Sequence, residues 1–174
     1  MKLKTWNMVL KYVFQDWSSN KYSSKGRFIL VFYRLASLLN KTKFTKIIFF
    51  PLIILYRILF EWVIGIELNI NSSIGPGVRL FHGQSIVING GSIIGKNCLI
   101  RNGVTLGTKI DNNGINSKAP ILGDNVQIGS NSVIIGPIEI GSNVSIGAGS
   151  VVVKSFPKNT IIAGNPAKII SYIK

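Results

Sequence analysis

Cysteine and histidine each occur only once in this chain of 174 residues, as Cys98 and His82. A single cysteine excludes an intramolecular disulfide and gives no sign of an oxidising compartment. A single histidine excludes every site that needs two or three imidazole ligands, including an all-histidine zinc site. The rest of the chain offers no metal-ligand cluster by its spacing, so we expect no metal.

Acidic residues are also scarce, with six Asp and Glu against 20 Lys and Arg, which gives a formal net charge of +14. This excess predicts an anionic partner, such as nucleic acid, a membrane surface or a phosphorylated ligand. No groove-reading motif accompanies the charge, so no nucleic-acid partner is expected. The first residues lack a signal-peptide pattern, and we expect a cytoplasmic protein, with association with the inner face of the cytoplasmic membrane as an open alternative.

Glycine and proline are nearly missing from residues 1–66, which hold two of the 18 glycines and one of the six prolines. This contrast predicts a basic, apolar α-helical segment over 1–66 and a glycine-punctuated domain over 67–174. Within the first half, the pattern predicts helices over 28–39 and 52–66, with Pro51 at a first helical turn.

A membrane-spanning helix over 47–66 is disfavoured, although only Arg57 and Glu61 are charged there. These two residues are four apart and can pair on one helix face, and Pro51 interrupts the apolar run. Two alternatives stay open for residues 1–66. The helices can simply pack on the second half with solvated lysines, or they can make peripheral contact with a membrane surface.

The second half repeats every six residues, a period that fits neither a helix nor ordinary strands joined by loops. Glycine follows seven of the repeated aliphatic residues, which are Leu68, Ile74, Leu80, Ile86, Ile94, Ile100, Leu106, Leu122, Ile128, Ile134, Ile140, Ile146 and Val152. A period of six suits a three-sided prism in which each hexad supplies one short strand and one corner. We therefore predict a mainly β fold, a parallel β-helix of about five coils with strands roughly 4.8 Å apart, whose open ends need caps.

Two interruptions break the repeat. The step from Ile86 to Ile94 is eight residues, which predicts a two-residue bulge at the corner containing Asn89–Gly91. The step from Leu106 to Leu122 is sixteen, which predicts that residues 107–120 leave the prism as an exposed loop. A loop on a rigid scaffold is a usual place for binding specificity.

His82 is the candidate catalytic residue, and Glu67 precedes it by fifteen residues, nearly one coil. A carboxylate there can orient the imidazole and stabilise its protonated form. The pair would then act as a general base on an acceptor hydroxyl. The alternative is a surface histidine without a catalytic role.

Several motifs resemble a known family. HGQSIVIN at 82–89, GVTLG at 103–107, IGAGSVV at 146–152 and AGNPAKII at 163–170 look like the left-handed β-helix acyltransferases, in their serine-acetyltransferase-like branch. The helical half, with QDW, SKGRF, FYRLA and LYRILFEWVIGIEL, looks like the capsule and exopolysaccharide O-acetyltransferases of colanic-acid type. The resemblance covers almost the whole chain.

This resemblance implies a homotrimer that binds acetyl-CoA between neighbouring prisms. His82 matches the family's catalytic base, and Glu67 matches the position of its acidic partner. The resemblance further implies that the pantetheine arm of acetyl-CoA lies along Gly107, Thr108, Ser130 and Ala148. It also implies that Lys154 and Lys168 meet the nucleotide phosphates.

Three departures weaken serine as the acceptor. The histidine that serine acetyltransferases carry before a proline in the extra loop is absent, because this chain has Lys118-Ala119-Pro120. The helical half is shortened, and the chain ends in SYIK rather than in an acidic, isoleucine-terminated peptide. The first hypothesis is thus O-acetylation of a capsular or exopolysaccharide sugar, with the acceptor a sugar or a lipid-linked oligosaccharide. Serine O-acetyltransferase and a non-catalytic scaffold are the alternatives.

Overall fold

A computed structural model describes residues 6–173 of the chain. Its helices are α1 Trp6–Val13, α2 Ser24–Leu39, α3 Lys43–Ile48 and α4 Phe50–Arg57, the last continued by a π-helical turn Ile58–Val63. Its strands are β1 Glu67–Leu68, β2 Ser73–Ile74, β3 Arg79–Phe81, β4 Val87–Ile88, β5 Ile93–Ile94, β6 Leu99–Arg101, β7 Thr105–Gly107, β8 Ile121–Leu122, β9 Gln127–Ile128, β10 Val133–Ile135, β11 Glu139–Ile140, β12 Ser145–Ile146, β13 Val151–Val152, β14 Thr160–Gly164 and β15 Ala167–Tyr172.

The strands form three parallel sheets that are the three faces of a prism. Face A has the order β1-β4-β7-β10-β13, face B has β2-β5-β8-β11, and face C has β3-β6-β9-β12-β14 with β15 added antiparallel at its end. Every third strand therefore pairs, as a chain wound in three-sided coils requires. The predicted parallel β-helix of hexapeptide repeats is confirmed.

The prism interior is a stack of aliphatic side chains. On face C, Leu80, Ile100 and Ile128 are in register and each is at most 1% exposed. Corners between strands need a left-handed backbone, which asparagine tolerates better than other non-glycine residues. Asn125, Asn143 and Asn159 have φ values of 58–60° and hydrogen-bond to one another from coil to coil.

The predicted bulge at Asn89–Gly91 is wrong. Ile88, not Ile86, pairs with Leu68 below it and with Leu106 above it. The step of eight residues therefore lies between Leu80 and Ile88, and the two extra residues enter the corner after β3. Both Ile86 and Ile88 are fully buried, so the apolar pattern alone fits either register.

The helical half covers the open edge of the first coil with polar side chains. Asp16 accepts a hydrogen bond from the amide of Val78, and Asn20 bonds both the carbonyl of Val78 and the amide of Leu80. These side chains occupy the places that a further strand would otherwise fill. The edge of face C is thus closed without another coil.

Arg34 completes this cap. Its guanidinium lies 2.9 Å from the carboxylate of Asp16, and it donates to the carbonyls of Ile74 and Gly75. Both charged side chains are at most 3% exposed, so the pair is almost fully removed from water. A buried pair of this kind is tolerated because every polar atom finds a partner.

Two tyrosines serve the other faces. Tyr33 donates to the carbonyl of Ser72 at 2.8 Å, and Tyr56 donates to the carbonyl of Leu68 at 2.9 Å. Their rings join the prism core together with Ile29, Leu30 and Phe60. The helical half and the prism therefore share one hydrophobic core.

The predicted helices over 28–39 and 52–66 fall mainly within α2 and within α4 with its π-helical turn. Arg57 and Glu61 pair at 3.1 Å, as their spacing indicates. Between residues 6 and 173, no helix has both the length and the apolarity to cross a membrane.

Candidate active site

His82 lies in the corner that contains the two extra residues. β3 ends at Phe81, and the next four residues turn the chain onto face A with φ values of 62° at His82, 28° at Gly83 and 52° at Ser85. Positive φ is unfavourable for histidine and serine, and such strain persists only where surrounding contacts impose it. This is the most strained corner of the prism and the one that presents the lone imidazole.

The contacts that impose this turn come from below and above. The amide of Ser85 donates to the carbonyl of Gly65 at 2.9 Å, and the amide of Gly103 donates to the carbonyl of Gln84 at 2.9 Å. Gly83 is buried, and a side chain there would stand 3.0 Å from Ile29. The backbone of the turn is therefore packed against α2 while the imidazole of His82 is exposed.

Three small or polar residues stack in successive coils above the turn that carries His82. The carbonyls of Gln84, Asn102 and Ser130 accept hydrogen bonds from the amides of Gly103, Asn131 and Gly149, so Asn102, Ser130 and Ala148 stack above Gln84. His82 precedes Gln84 by two residues and lies beside the foot of this stack, and we define the His82 column as His82, Asn102, Ser130 and Ala148. A hydrogen bond of 3.0 Å from Ser130 to Asn102 links two of its coils. The column spans three coil steps, roughly 14 Å.

Lys168 lies at the far end of this column. It pairs across the β14–β15 hairpin with Ala163, which sits over Gly147, the neighbour of Ala148. Its side chain is exposed. The His82 column thus begins at an imidazole near the first coil and ends near an ammonium group at the last.

The remaining predicted residues lie on the opposite edge of face A. Gly107 ends β7 and pairs with Ile135, and Ile134 pairs with Val152. The same register stacks the Lys154 column, which we define as Thr108, Gly136 and Lys154. Face A separates the two columns by six residues, roughly 15–20 Å at about 3.3 Å each. One protomer therefore brings Ser130, Ala148 and Lys168 near the line of His82, and it keeps Gly107, Thr108 and Lys154 away from it.

The predicted loop over 107–120 is present and begins at the Lys154 column. It forms a small hairpin in which Ile110 and Asn116 bridge, and Asp111 accepts hydrogen bonds from the amides of Asn113 and Ile115. Ile110 and Ile115 are 69% and 63% exposed. The loop thus presents an apolar tip away from its own prism.

Glu67 is one coil below the turn that carries His82. It begins β1, two residues after the Gly65 carbonyl that holds Ser85. Within residues 6–173, no hydrogen bond or ion pair joins its carboxylate to the imidazole of His82. The carboxylate instead borders a groove of about 340 Å³ together with Tyr56 and Arg57. Its role beside His82 stays a prediction.

The residues present fit an extended acyl thioester donor. The upper His82 column carries only small side chains, and at Gly129 any β-carbon would collide with the backbone of Ala148 in the next coil. This flat corner lets a narrow chain approach the backbone. Lys154 and Lys168 are exposed near the last coils, where ammonium groups can meet phosphates.

Cys98 does not take part in this site. Its side chain is fully buried in the prism, and burial raises the pKa of the thiol to about 11. A thiol held neutral in this way is a poor nucleophile. In the part of the chain that the structure describes, no group of three His, Cys, Asp or Glu residues is placed to hold a metal ion.

Known proteins share both the repeat and the chain length. Residues 119–154 match the family described as bacterial transferase hexapeptide (six repeats). The putative colanic acid biosynthesis acetyltransferase WcaB of Escherichia coli K12 is 34% identical over 159 residues, covering 89% of this chain and 96% of that protein. The chain belongs to the hexapeptide-repeat acetyltransferase family.

Serine acetyltransferases match a smaller part of this sequence, although the fold of one of them extends over almost the whole chain. The chloroplastic serine acetyltransferase 1 of Arabidopsis thaliana is 44% identical over 105 residues, which cover 60% of this chain and 33% of that protein. A Neisseria gonorrhoeae serine acetyltransferase in complex with serine has a TM-score of 0.80 at 27% identity, over 95% of this chain and 70% of that one.

Asn102 also lies in the His82 column, although it is not one of the candidate residues predicted from the sequence. It follows Ile100 by two positions, as His82 follows Leu80 and Ser130 follows Ile128. The spacing within the hexad would have found it. The spacing does not predict the strained turn at His82–Ser85. That turn forms because Ile88, rather than Ile86, takes the inward position in face A.

Proposed function

We propose that this acetyltransferase transfers an acetyl group from acetyl-CoA to a hydroxyl of a capsular or exopolysaccharide sugar unit, with His82 as the general base. The single observation that carries the mechanism is the exposed imidazole on a strained turn, at the foot of a flat column that ends near Lys168. The chain offers no second imidazole and no accessible thiol for the same task.

The proposed chemistry is a direct transfer. Acetyl-CoA supplies a thioester carbonyl when it is bound. One imidazole nitrogen of His82 accepts the proton of the acceptor hydroxyl, whose oxygen attacks that carbonyl. The C–S bond then breaks, and the leaving thiolate takes up the proton from the imidazolium. Ser130, Ala148 and Gly107 with Thr108 would hold the pantetheine arm, and Lys154 and Lys168 would hold the phosphates.

A homotrimer explains why these residues lie on two edges of one face. A donor extended along the His82 column cannot reach Thr108 and Lys154 of the same protomer, because face A lies between them. In a ring of three copies, one edge of each protomer faces the opposite edge of its neighbour. We propose that the donor lies in that cleft, with each protomer contributing one column.

Glu67 is proposed as a positioning residue for His82 rather than as a base. Glu67 pairs with Val87, so its backbone lies one coil, roughly 4.8 Å of axial rise, below the chain that leaves the turn. A negative charge at this level would stabilise the imidazolium that forms during transfer. Replacement by glutamine should lower kcat more than it changes KM.

The sugar acceptor is supported by how the relatives align. WcaB is matched across both halves of this chain, whereas the serine acetyltransferase of Arabidopsis is matched over 60% of it. The structural likeness to a serine-bound enzyme keeps serine as the second candidate. The loop carries Lys118-Ala119-Pro120, without a second imidazole to hold an amino acid. We propose a cytoplasmic site of action, where acetyl-CoA is available.

The test compares His82→Ala and His82→Asn in an assay of thiol release from acetyl-CoA. Asparagine tolerates the positive φ of this position, so it removes the base while keeping the turn. Both variants should lose activity by on the order of a hundredfold or more. An active His82→Asn enzyme would show that only the backbone of the turn matters and would remove the mechanism.

The acceptor is tested in the same assay with serine and with a lipid-linked oligosaccharide supplied in parallel. The sugar proposal expects thiol release that depends on the oligosaccharide and only background release with serine. Efficient release with serine alone would instead assign the second candidate.

A further inference from the structure

The outer surface of α3, α4 and the π-helical turn carries apolar side chains where a water-facing helix is polar. We define the outer helical surface as Phe44, Ile47, Leu52, Leu55, Ile58 and Trp62. Their exposed fractions run from 51% at Leu52 and Ile58 to 84% at Trp62. The inward side of the same helices is already occupied by Ile53, Tyr56 and Phe60, which pack on the prism. The helices are therefore apolar on both sides.

The apolar surface continues onto α2. A shallow groove between α2 and α4 is lined almost entirely by apolar side chains, including Phe32, Leu35 and Leu59. Contiguous exposed apolar surface of this kind marks an interaction site on a soluble domain. Neither α3 nor α4 is long enough to span a bilayer, since they have six and eight residues and change direction at Phe49.

The exposed charges beside α3 and α4 are mostly basic, and Glu61 on the π-helical turn pairs with Arg57. Lys41, Lys43 and Lys46 are exposed beside the outer helical surface. From Lys41 to Phe60 the sequence has four basic residues, the fourth being Arg57, and no acidic one. An apolar face bordered by lysines is the pattern of a helix that lies in the interface of an anionic membrane.

A second copy of the chain is a less suitable occupant of the same surface. Symmetric self-association would bring two copies of this basic surface into one interface. Like charges at an interface are costly, whereas anionic lipid headgroups neutralise them. We propose that the outer helical surface docks this acetyltransferase on an anionic lipid bilayer, with Trp62 and its apolar neighbours inserted at the headgroup boundary.

The experiment is flotation of the full-length protein with vesicles, without acetyl-CoA or acceptor, so its outcome is separate from the proposed reaction. Vesicles of phosphatidylcholine alone are compared with vesicles that also contain phosphatidylglycerol. We expect binding to the anionic vesicles, weakening at high salt, with a blue shift of tryptophan fluorescence that Trp62→Phe abolishes.

Matched variants locate the contact. Ile47→Ser/Leu55→Ser should lower vesicle binding at least tenfold, while Ile170→Ser, which alters a 65% exposed residue on β15, should not change it. Lys43→Gln and Lys46→Gln should each lower binding about fivefold, and Lys158→Gln on the prism should have little effect. Circular dichroism and oligomeric size are recorded for every variant.

Two results would overturn the proposal. One is the absence of binding by the folded wild-type protein to every vesicle composition. The other is a change of oligomeric state in Ile47→Ser/Leu55→Ser with vesicle binding unchanged, which would assign this surface to contact between copies.

Discussion

The helical half and the prism distribute polar and apolar side chains in opposite ways. In the prism, aliphatic residues such as Ile100 and Ile128 fill the interior. In the helical half, the buried residues include the charged pair Asp16 and Arg34, while Trp62 and Ile47 are 84% and 75% exposed. The side chains of the prism pack against one another inside it, whereas the buried charged pair of the helical half contacts the backbone of the first coil.

This difference follows from how the backbone hydrogen bonds are satisfied in the repeated coils and at the first coil. A coil of the prism satisfies its backbone with the next coil, so one hexad serves anywhere in the stack. The first coil has no coil below it, and its exposed backbone groups need individual side chains from Asp16, Asn20, Arg34, Tyr33 and Tyr56. The cap is therefore specific to one place, and the predictions below compare it with the repeated stack of the prism.

The largest effect is expected at the buried charged pair of the cap. Asp16→Ala leaves the guanidinium of Arg34 buried without its carboxylate. It also removes the hydrogen-bond acceptor of the Val78 amide. Loss of one member of a buried pair costs about 3–5 kcal/mol of unfolding free energy. Urea unfolding, followed by circular dichroism at fixed protein concentration, measures this loss.

The matched control is the exposed pair in the same half, Arg57 and Glu61. Glu61→Gln should change the unfolding free energy by less than about 1 kcal/mol, because solvent screens that pair. Equal effects of Asp16→Ala and Glu61→Gln would contradict the view that the cap closes the prism.

The second effect concerns two adjacent residues of β5. Ile94 is 2% exposed and Ile93 is 44% exposed. Ile94→Ala leaves a cavity in the stack and should cost about 2–5 kcal/mol, and Ile93→Ala should stay within about 1 kcal/mol. The same unfolding measurement compares them. A large loss at Ile93 would show that face B is covered in the assembled protein.

The smallest effect is expected at the tyrosine hydroxyls of the cap. Tyr33→Phe leaves the carbonyl of Ser72 without its donor, and Tyr56→Phe does the same to Leu68, each at a cost of about 1–3 kcal/mol. Tyr22→Phe is the control, because that side chain is 88% exposed. An unfolding free energy unchanged by both cap variants would show that these hydroxyls do not stabilise the first coil.

The same tyrosines predict how stability changes with pH. Burial raises the pKa of Tyr33 and of Tyr56 above the ordinary value of 10.0. The folded protein therefore disfavours ionisation, so this contribution is complete below pH 10 and is lost as the pH rises above it. Unfolding measured from pH 8 to pH 11 should show a decline that is smaller in the Tyr33→Phe/Tyr56→Phe double variant.

Much of the fold was predictable because each hexad places an aliphatic residue at the same position, and this pattern recurs many times. Thirteen aliphatic positions predicted the prism, and twelve of them enter the stack as expected. The exception is Ile86, which is buried two residues before Ile88, the residue that takes the inward position in β4. Strand pairing with Leu68 and Leu106 places Ile88, rather than Ile86, in the stack. The sequence pattern does not show this pairing, because the paired residues are far apart in the chain.

The candidate site also has a part that the sequence predicts and a part that depends on the tertiary structure. His82 was predictable as the only histidine, and the positions of Ser130 and Ala148 follow from hexad spacing. The separation of Thr108 and Lys154 from the His82 column was not, because it depends on the width of face A. The position of Glu67 one coil below the turn, beside Arg57, likewise depends on how the helical half packs on β1.

The sequence by itself determined that this chain winds into a prism with one imidazole on its surface, since a period of six and a single histidine are properties of the letters. Only the tertiary structure decided which corner receives the two extra residues, how far Thr108 and Lys154 lie from His82, and how the first coil is closed. These depend on contacts between positions more than ten residues apart, where the energy of packing and hydrogen bonding selects one register among several that the local pattern allows.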